Sequence, residues 1–395
     1  MASYYLNVYC IAQVNWAYAI FIHGRGTTLL GRQARIFEDN IMQRLLVNQA
    51  DITQVEIEDS RSIDLKPGKA RLALRRFALT ANNVTYAACG FAIGYWKFFP
   101  SGIDGKGILP VWGFAEVVES QSEALDVGAR LYGFFPLAEE LVIEPEVQGG
   151  SVILDASMHR ADLPVVYNRY TLVKPRSAAE EQLQALLQPL LATSYLLSDW
   201  LLDNAFFGAD QVIVGSASSK TGLGLCKFLA KQSSRSVKII GLTSQRNIPF
   251  VQSLGACDAV IGYDDIENID TIPSVYVDMA GSVAVKARLH AHLAKVLKHS
   301  CAVGMSHWDE FRPGQKFEGP APEFFFAPAQ IEKRRMDWGP GVIDARIGEA
   351  WRRIASDAST WLDVKPHAGM RAVPNIYTGL ADGSASPRDG FVVSL

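Results

Sequence analysis

The chain has 395 residues, of which 49% are hydrophobic and 20% charged, a balance that excludes a disordered chain, a collagen-like repeat and a disulfide scaffold. Its 38 basic and 41 acidic residues give a formal charge of −3. With no cationic excess to follow a phosphate backbone, no nucleic-acid partner is expected. The five cysteines are widely spaced, odd in number and free of any CxxC pair, which places the chain in a reducing, cytoplasmic setting.

Tyr4–Ile22 carries no charge, but Asn7, Gln13 and Asn15 interrupt it, and no basic residues open it as they would a secretory signal. Residues 1–43 are therefore expected to be an extension, with no stable membrane anchor. From about Arg44 the text turns to short alternating runs. Leu45–Val47, Gln54–Ile57, Arg71–Phe77, Ile108–Val118, Ala129–Phe135 and Glu140–Ile143 read as strands separated by turn residues such as Pro67-Gly68. Together they predict a small β-rich unit.

At Ala178 the period changes. Leu183, Leu186, Leu187, Leu190, Leu191, Leu197 and Leu201 recur at helical spacing, with Pro189 as an expected kink. Strand and helix signals then alternate. Gln211–Val214, Val237–Leu242, Ala259–Ile261, Val275–Val277 and Cys301–Met305 read as strands. Leu223–Gln232, Ile248–Leu254 and a helix capped by Ser282 and running to about Lys298 lie between them. This alternation predicts an α/β fold, a doubly wound parallel sheet with helices on both faces. Val373–Leu395 reads as a short helix, a turn and a strand that pairs back with the β-rich unit.

The first parallel strand runs into Gly215-Ser216-Ala217-Ser218-Ser219-Lys220-Thr221-Gly222-Leu223. A strand, a small-residue turn and a helix make a phosphate cradle, because amides at the helix start point outward and its dipole favours an anion. Two alternatives stay open: a turn that only packs strand against helix, and a P-loop, which lacks the glycine before Lys220. The next strand ends Thr243-Ser244-Gln245-Arg246-Asn247. An NAD site has an acid there for the ribose hydroxyls. Hydroxyls and an arginine suit a 2′-phosphate instead, so NADP is the expected cofactor.

These segments resemble the medium-chain dehydrogenase/reductase superfamily in its zinc-free, quinone-oxidoreductase-like branch. Val212–Leu225 resembles that branch's glycine-rich turn. Ser253-Leu254-Gly255-Ala256 with Val260-Ile261-Gly262-Tyr263 resembles its LGAD-x-VI-x-Y stretch, and Val277-Asp278-Met279-Ala280-Gly281 its D-x-x-G region. Asn82-Asn83-Val84-Thr85-Tyr86 resembles the N-Y segment, and Val373–Val393 the closing element. The resemblance implies a Rossmann domain (178–365) inserted in a GroES-like catalytic domain (44–177, completed by 366–395), with the active site between them and a homodimer through the edge of the parallel sheet. Residues 1–43, Gln148–Tyr170 and Trp308–Asp363 depart from the pattern, as a divergent subfamily would. The resemblance adds Tyr263, Ala280, Gly281 and Gly304 to Gly215, Ser218, Ser219, Lys220, Thr221, Gly222, Leu223, Thr243, Ser244 and Arg246 as cofactor residues.

The zinc-bearing branch has Gly-His-Glu where this chain has Gly113-Phe114-Ala115, and phenylalanine binds no metal. No metal is expected, and His290, His292 and His299 are read as solvated. A carbonyl must then be polarised by hydrogen-bond donors. Tyr86 is the first candidate, with Asn82, Tyr95 and Lys97 nearby; a tyrosine satisfied in the core is the competing reading. His307 follows the fifth parallel strand, where ligands bind, though a lone histidine is more often a cap or a surface residue. The expected function is zinc-independent, NADPH-dependent reduction of a small carbonyl, enone or quinone. An NADP-binding protein without turnover, or a hydratase or lyase on the same scaffold, remains open.

Overall fold

The computed structural model describes residues 41–232, 235–304 and 316–395, so Tyr4–Ile22, the remaining residues up to 40, and His307 with Trp308 lie outside the described residues. Met42–Leu395 pack as one unit.

The first half carries β1 (Ile41–Asn48), β2 (Val55–Arg61), β3 (Ala70–Leu79), β4 (Lys106–Ile108), β5 (Pro110–Ser120), β6 (Arg130–Pro136), β7 (Glu140–Ile143), β8 (Pro145–Val147), β9 (Val152–Asp155) and β10 (Arg169–Leu172). Helix α1 (Ala81–Ala88) and the single turn α2 (Tyr95–Phe98) lie between β3 and β4. The alternation read from the sequence is the pleat: Ala70, Leu72 and Leu74 of β3 are buried, and Arg71, Ala73 and Arg75 are less so. The pairing of β3 with β5 shifts register between Leu74 and Arg76. Such a bulge re-aims the side chains beyond it.

The second half opens with α3 (Ala178–Asp203), which runs on through Pro189. There follow β11 (Gln211–Gly215), α4 (Lys220–Ala230), β12 (Lys238–Thr243), α5 (Ile248–Ser253), β13 (Ala259–Gly262), β14 (Ser274–Asp278), α6 (Val283–Leu293), β15 (Leu297–Ala302), β16 (Glu323–Phe324), α7 (Ala327–Trp338) and α8 (Val342–Ala355). The strands pair in parallel in the order β13-β12-β11-β14-β15-β16. Successive residues of β11 serve opposite faces. Val212 and Val214 pack with Leu197 and Leu201 of α3 and Leu225 and Leu229 of α4. Ile213 packs with Leu289 and Leu293 of α6. The middles of β11, β12 and β14 are apolar because both faces are covered.

The chain then returns. The segment β17 (Asp363–Ala368), α9 (Val373–Ala381) and β18 (Asp389–Ser394) adds two strands to the antiparallel sheet, with β18 between β17 and β3. The expected pairing-back of the last strand is what the fold contains. Glu181, 2% exposed in the first turn of α3, accepts hydrogen bonds from Arg130 of β6 and, past the bulge, from Arg76 of β3, fixing the long helix on the antiparallel sheet.

Two local expectations are corrected. The helix capped by Ser282 ends at Leu293, where Ala294 takes φ 22° and frees Leu297 to begin β15. His290 and His299 are buried rather than solvated. His290 is hydrogen-bonded to the Glu318 carbonyl (2.8 Å) and the Ser300 hydroxyl (2.9 Å), and His299 stacks on Phe207 at 4.1 Å. Burial lowers the pKa of both rings. Among the described residues, no helix is long and apolar enough to cross a membrane.

Candidate active site

The parallel order 3-2-1-4-5-6 reverses direction between β11 and β14, and ligands of such sheets lie beyond the carboxyl ends of the strands there. At that point Gly215 ends β11, and a Cβ on it would stand 2.8 Å from the Tyr276 hydroxyl. Ser216 adopts φ 53°, a conformation costly for a non-glycine residue. Tyr263, hydrogen-bonded to Ser216, braces it; burial holds the Tyr263 hydroxyl up at about 12. Ser219 caps α4 by accepting from the Gly222 amide at 3.1 Å.

Gly222 is required by close approach, since a Cβ there would come within 2.5 Å of the Ser216 carbonyl oxygen, a backbone atom. Gly222→Ala is expected to destabilise the fold by about 1–3 kcal/mol through forced displacement of the turn. Urea denaturation checks this, and an unchanged midpoint would refute it.

The second strand brings a polar group to the same place. Ser218 Oγ accepts hydrogen bonds from Thr243 Oγ1 (3.0 Å) and Asn247 Nδ2 (3.2 Å), so its own proton is free to be donated elsewhere. Ser244 Oγ is buried without a partner. Arg246 donates to the Gly383 carbonyl at 2.8 Å. Asn247 was missed by sequence reasoning, although an amide at the end of a parallel strand signals it. Ala280 and Gly281 present their amides to Asp278 Oδ1 (3.1 and 2.9 Å), which fixes the turn after β14, and Lys286 pairs with the other oxygen at 3.0 Å. Gly304 lies against this turn: a Cβ on it would meet the Met279 carbonyl oxygen at 2.2 Å and Thr85 Oγ1 of α1 at 3.8 Å. The turns after β14 and β15 thus meet α1.

Lys220 departs from the simple cradle. Its Nζ is buried and donates to the carbonyls of Asp389 (2.6 Å) and Pro387 (3.3 Å), and burial lowers its pKa to about 8 despite the nearby Asp389. Thr221 gives its carbonyl to Ser194 Oγ (2.7 Å), and Leu223 is buried beneath the turn.

From the antiparallel side comes α1. A capping box at Thr80 and Asn83, and a bond from Asn83 Nδ2 to the Pro110 carbonyl (2.9 Å), set its direction. Asn82 and Tyr86, four apart, share one helical face. Tyr86 is 5% exposed, and its oxygen accepts from Trp112 Nε1 at 3.2 Å. Burial, with Tyr167 beside it, pushes the Tyr86 pKa well above that of a free phenol. With its oxygen accepting from the indole, the phenol keeps its own proton to donate.

A cavity of about 530 Å³ joins the two sides. Asn82, Tyr86, Tyr95 and Trp112 line it from the antiparallel half, and Ser216, Ser219, Lys220, Thr221 and Gly304 from the parallel half. Tyr95 and Tyr167 share a hydrogen bond at 3.1 Å, and the Tyr132 hydroxyl in the same wall has no partner. Sequence reasoning missed Trp112, Tyr132 and Tyr167. It also missed Ile331 of α7 and Ile347 of α8, which wall the cavity from within the segment that departs from the family pattern. Among the described residues no three His, Cys, Asp or Glu side chains converge on one point, and Phe114 is wholly buried in β5.

The solved structures similar to this chain have the same architecture. CurA from Vibrio vulnificus in complex with NADPH superposes with a TM-score of 0.57 at 13% identity, covering 89% of this chain and 98% of its own. A mutant form of enoyl thioester reductase from Candida tropicalis gives 0.53 at 11%, covering 90% and 100%. Etr1p in complex with NADP and crotonyl-CoA gives 0.52 at 11%, covering 90% and 100%. The likeness is one of fold, a Rossmann-type parallel sheet joined to a GroES-like β-rich sheet. No curated protein sequence matches the chain. The family described as "protein of unknown function (DUF2855)" has a model that matches residues 77–386, most of the length, and the chain belongs to that family.

Proposed function

We propose that the protein is an NADPH-dependent reductase of a small carbonyl, enone or quinone, working without a metal in the cleft between its two sheets. The residues present fit the cofactor. The free proton of Ser218, the unpartnered buried hydroxyl of Ser244 and the start of α4 are donors in want of an anion. They would hold the phosphates, with Arg246 at the 2′-phosphate. NADPH bound there supplies a hydride. Tyr86 does the complementary work: held by Trp112, it points a proton at a substrate oxygen and passes it over as negative charge builds there. The aromatic wall around it excludes water and takes a flat, apolar substrate. That the solved relatives include an NADPH complex and an enoyl thioester reductase supports the reading.

The observation that carries it is the Tyr86 hydroxyl, accepting from the Trp112 indole and lining the same cavity as the phosphate turn. The test is loss of NADPH absorbance with quinones, enones and aldehydes. Turnover on at least one is expected; tight NADPH binding with none would leave a binding protein without redox activity. Arg246→Ala is expected to weaken NADPH about tenfold, near 1.4 kcal/mol, and to leave NADH unchanged. Equal losses for both nucleotides in calorimetry would remove the 2′-phosphate role.

A further inference from the structure

Two cations at the phosphate turns, Lys220 and Arg246, are already occupied by the link from α9 to β18 and the first residue of that strand, Asp389. Residues 382–388 link α9 to β18. Arg246, after β12, donates to the Gly383 carbonyl (2.8 Å); Lys220, at the start of α4, donates to the carbonyls of Pro387 (3.3 Å) and Asp389 (2.6 Å). Gly383, Ser386 and Pro387 line the cavity alongside Ser216 and Thr221.

We propose that residues 382–388 form a strap across the nucleotide end of the cleft, its carbonyl oxygens standing in for phosphate oxygens, and that the cofactor's phosphates take Lys220 and Arg246 from the strap on binding. This rests on the NADPH reading above and extends it to regulation of the same site. The exchange has a direction. A carbonyl oxygen carries a partial charge and a phosphate oxygen a full one, and hydrogen bonds between ionised partners are the stronger. Carbonyls also leave the buried Lys220 ammonium undercompensated, as its pKa near 8 records. The strap's other ties gather at its two ends: toward α9, Ala385 donates to the Gly379 carbonyl (3.0 Å) and Ser384 to the Asp382 carboxylate (2.8 Å); toward β18, the Asp363 amide donates to the Arg388 carbonyl (2.8 Å), the Asp389 amide to the Ser386 carbonyl (3.0 Å), and Arg388 to Asp363 (3.1 Å). Once its cations are withdrawn, the strap is fastened mainly at its two ends.

The test is amide hydrogen exchange read by mass spectrometry on the full chain, with NADPH binding followed by calorimetry on the same sample. Saturating NADPH is expected to speed exchange at Ser384 and Ala385 about tenfold and to slow it at Gly222 and Leu223. Arg246→Ala, a surface change, is expected to speed Ser384 and Ala385 without any ligand. Lys220→Met is expected to speed Asp389, and Lys220→Arg to restore it. If NADPH binds and the strap's exchange stays the same or slows, the strap is overturned and the cofactor reading stands. If calorimetry shows no binding, both fall.

Discussion

Tyr86→Phe is expected to lower turnover by about 10²- to 10⁴-fold, the contribution of a positioned proton donor, on whichever substrate the NADPH assay identifies. The change deletes one oxygen from a 5%-exposed ring whose tilted contact with Tyr95 (centroids 4.5 Å apart) and edge-on contact with Phe134 (5.5 Å) do not depend on that oxygen. The fold should therefore lose only about 1 kcal/mol, from the Trp112 indole N–H left without its acceptor. NADPH affinity should stay the same, because Tyr86 sits on α1 of the antiparallel half, whereas Lys220 and Thr221 belong to the turn after β11. Turnover within threefold of the parent would show that Tyr86 is only a packed core residue. Burial keeps the phenol protonated far beyond neutral pH, so its own titration should leave no break in the pH–rate profile below about pH 10.

Asp155→Ala should be the most destabilising single change, at about 3–5 kcal/mol, the cost of breaking a buried ion pair from one side. Asp155 and Arg160 have side chains only 1% exposed. Asp155 accepts from Arg160 and also holds the Ser157 amide (3.0 Å), the Ser157 hydroxyl (2.6 Å) and the Glu144 amide (3.1 Å). Arg160 lies over Phe99 at 4.6 Å and reaches Tyr170 Oη at 3.1 Å, yet its Nε and Nη2 find no partner. Without the carboxylate, its charge is stranded among aromatic rings. A domain of ordinary stability, ~5–15 kcal/mol, cannot easily absorb that. The double variant Asp155→Ala/Arg160→Met should recover much of the loss. Urea midpoints decide it: if the single variant unfolds within 1 kcal/mol of the parent, the pair contributes little.

The α/β alternation was legible because β11, β12 and β14 are short apolar runs set between helical periods, and nothing but a sheet covered on both faces uses such runs. The return of Phe391-Val392-Val393 to the antiparallel sheet was legible for a similar reason. The fates of single polar residues were not. His290 and His299 look solvated in a linear reading, because their partners, Glu318 with Ser300 and Phe207, come from distant segments. At the site, the chemistry of Tyr86 depends on Trp112, 26 residues away, and sequence gives no measure of that distance. Lys220 reads as a phosphate ligand from its place in the turn, whereas its contacts to Pro387 and Asp389 arise only once the last strand has returned. Ile331 and Ile347 lie in the one long segment for which the family pattern offers no template.

The position of β18 has a consequence for how the molecule is made. It is an interior strand, and its Ser394 hydroxyl is bonded to Arg76 across 318 residues of sequence. During synthesis β7 can cover Ala70–Ala73 of β3, but Arg76–Leu79 must wait, unsatisfied on that edge, while the entire parallel half emerges. Contacts of such long range form late and slowly. A clipped C-terminal strand would therefore do more than fray one end: it would leave β3 an open edge able to recruit strands from other chains.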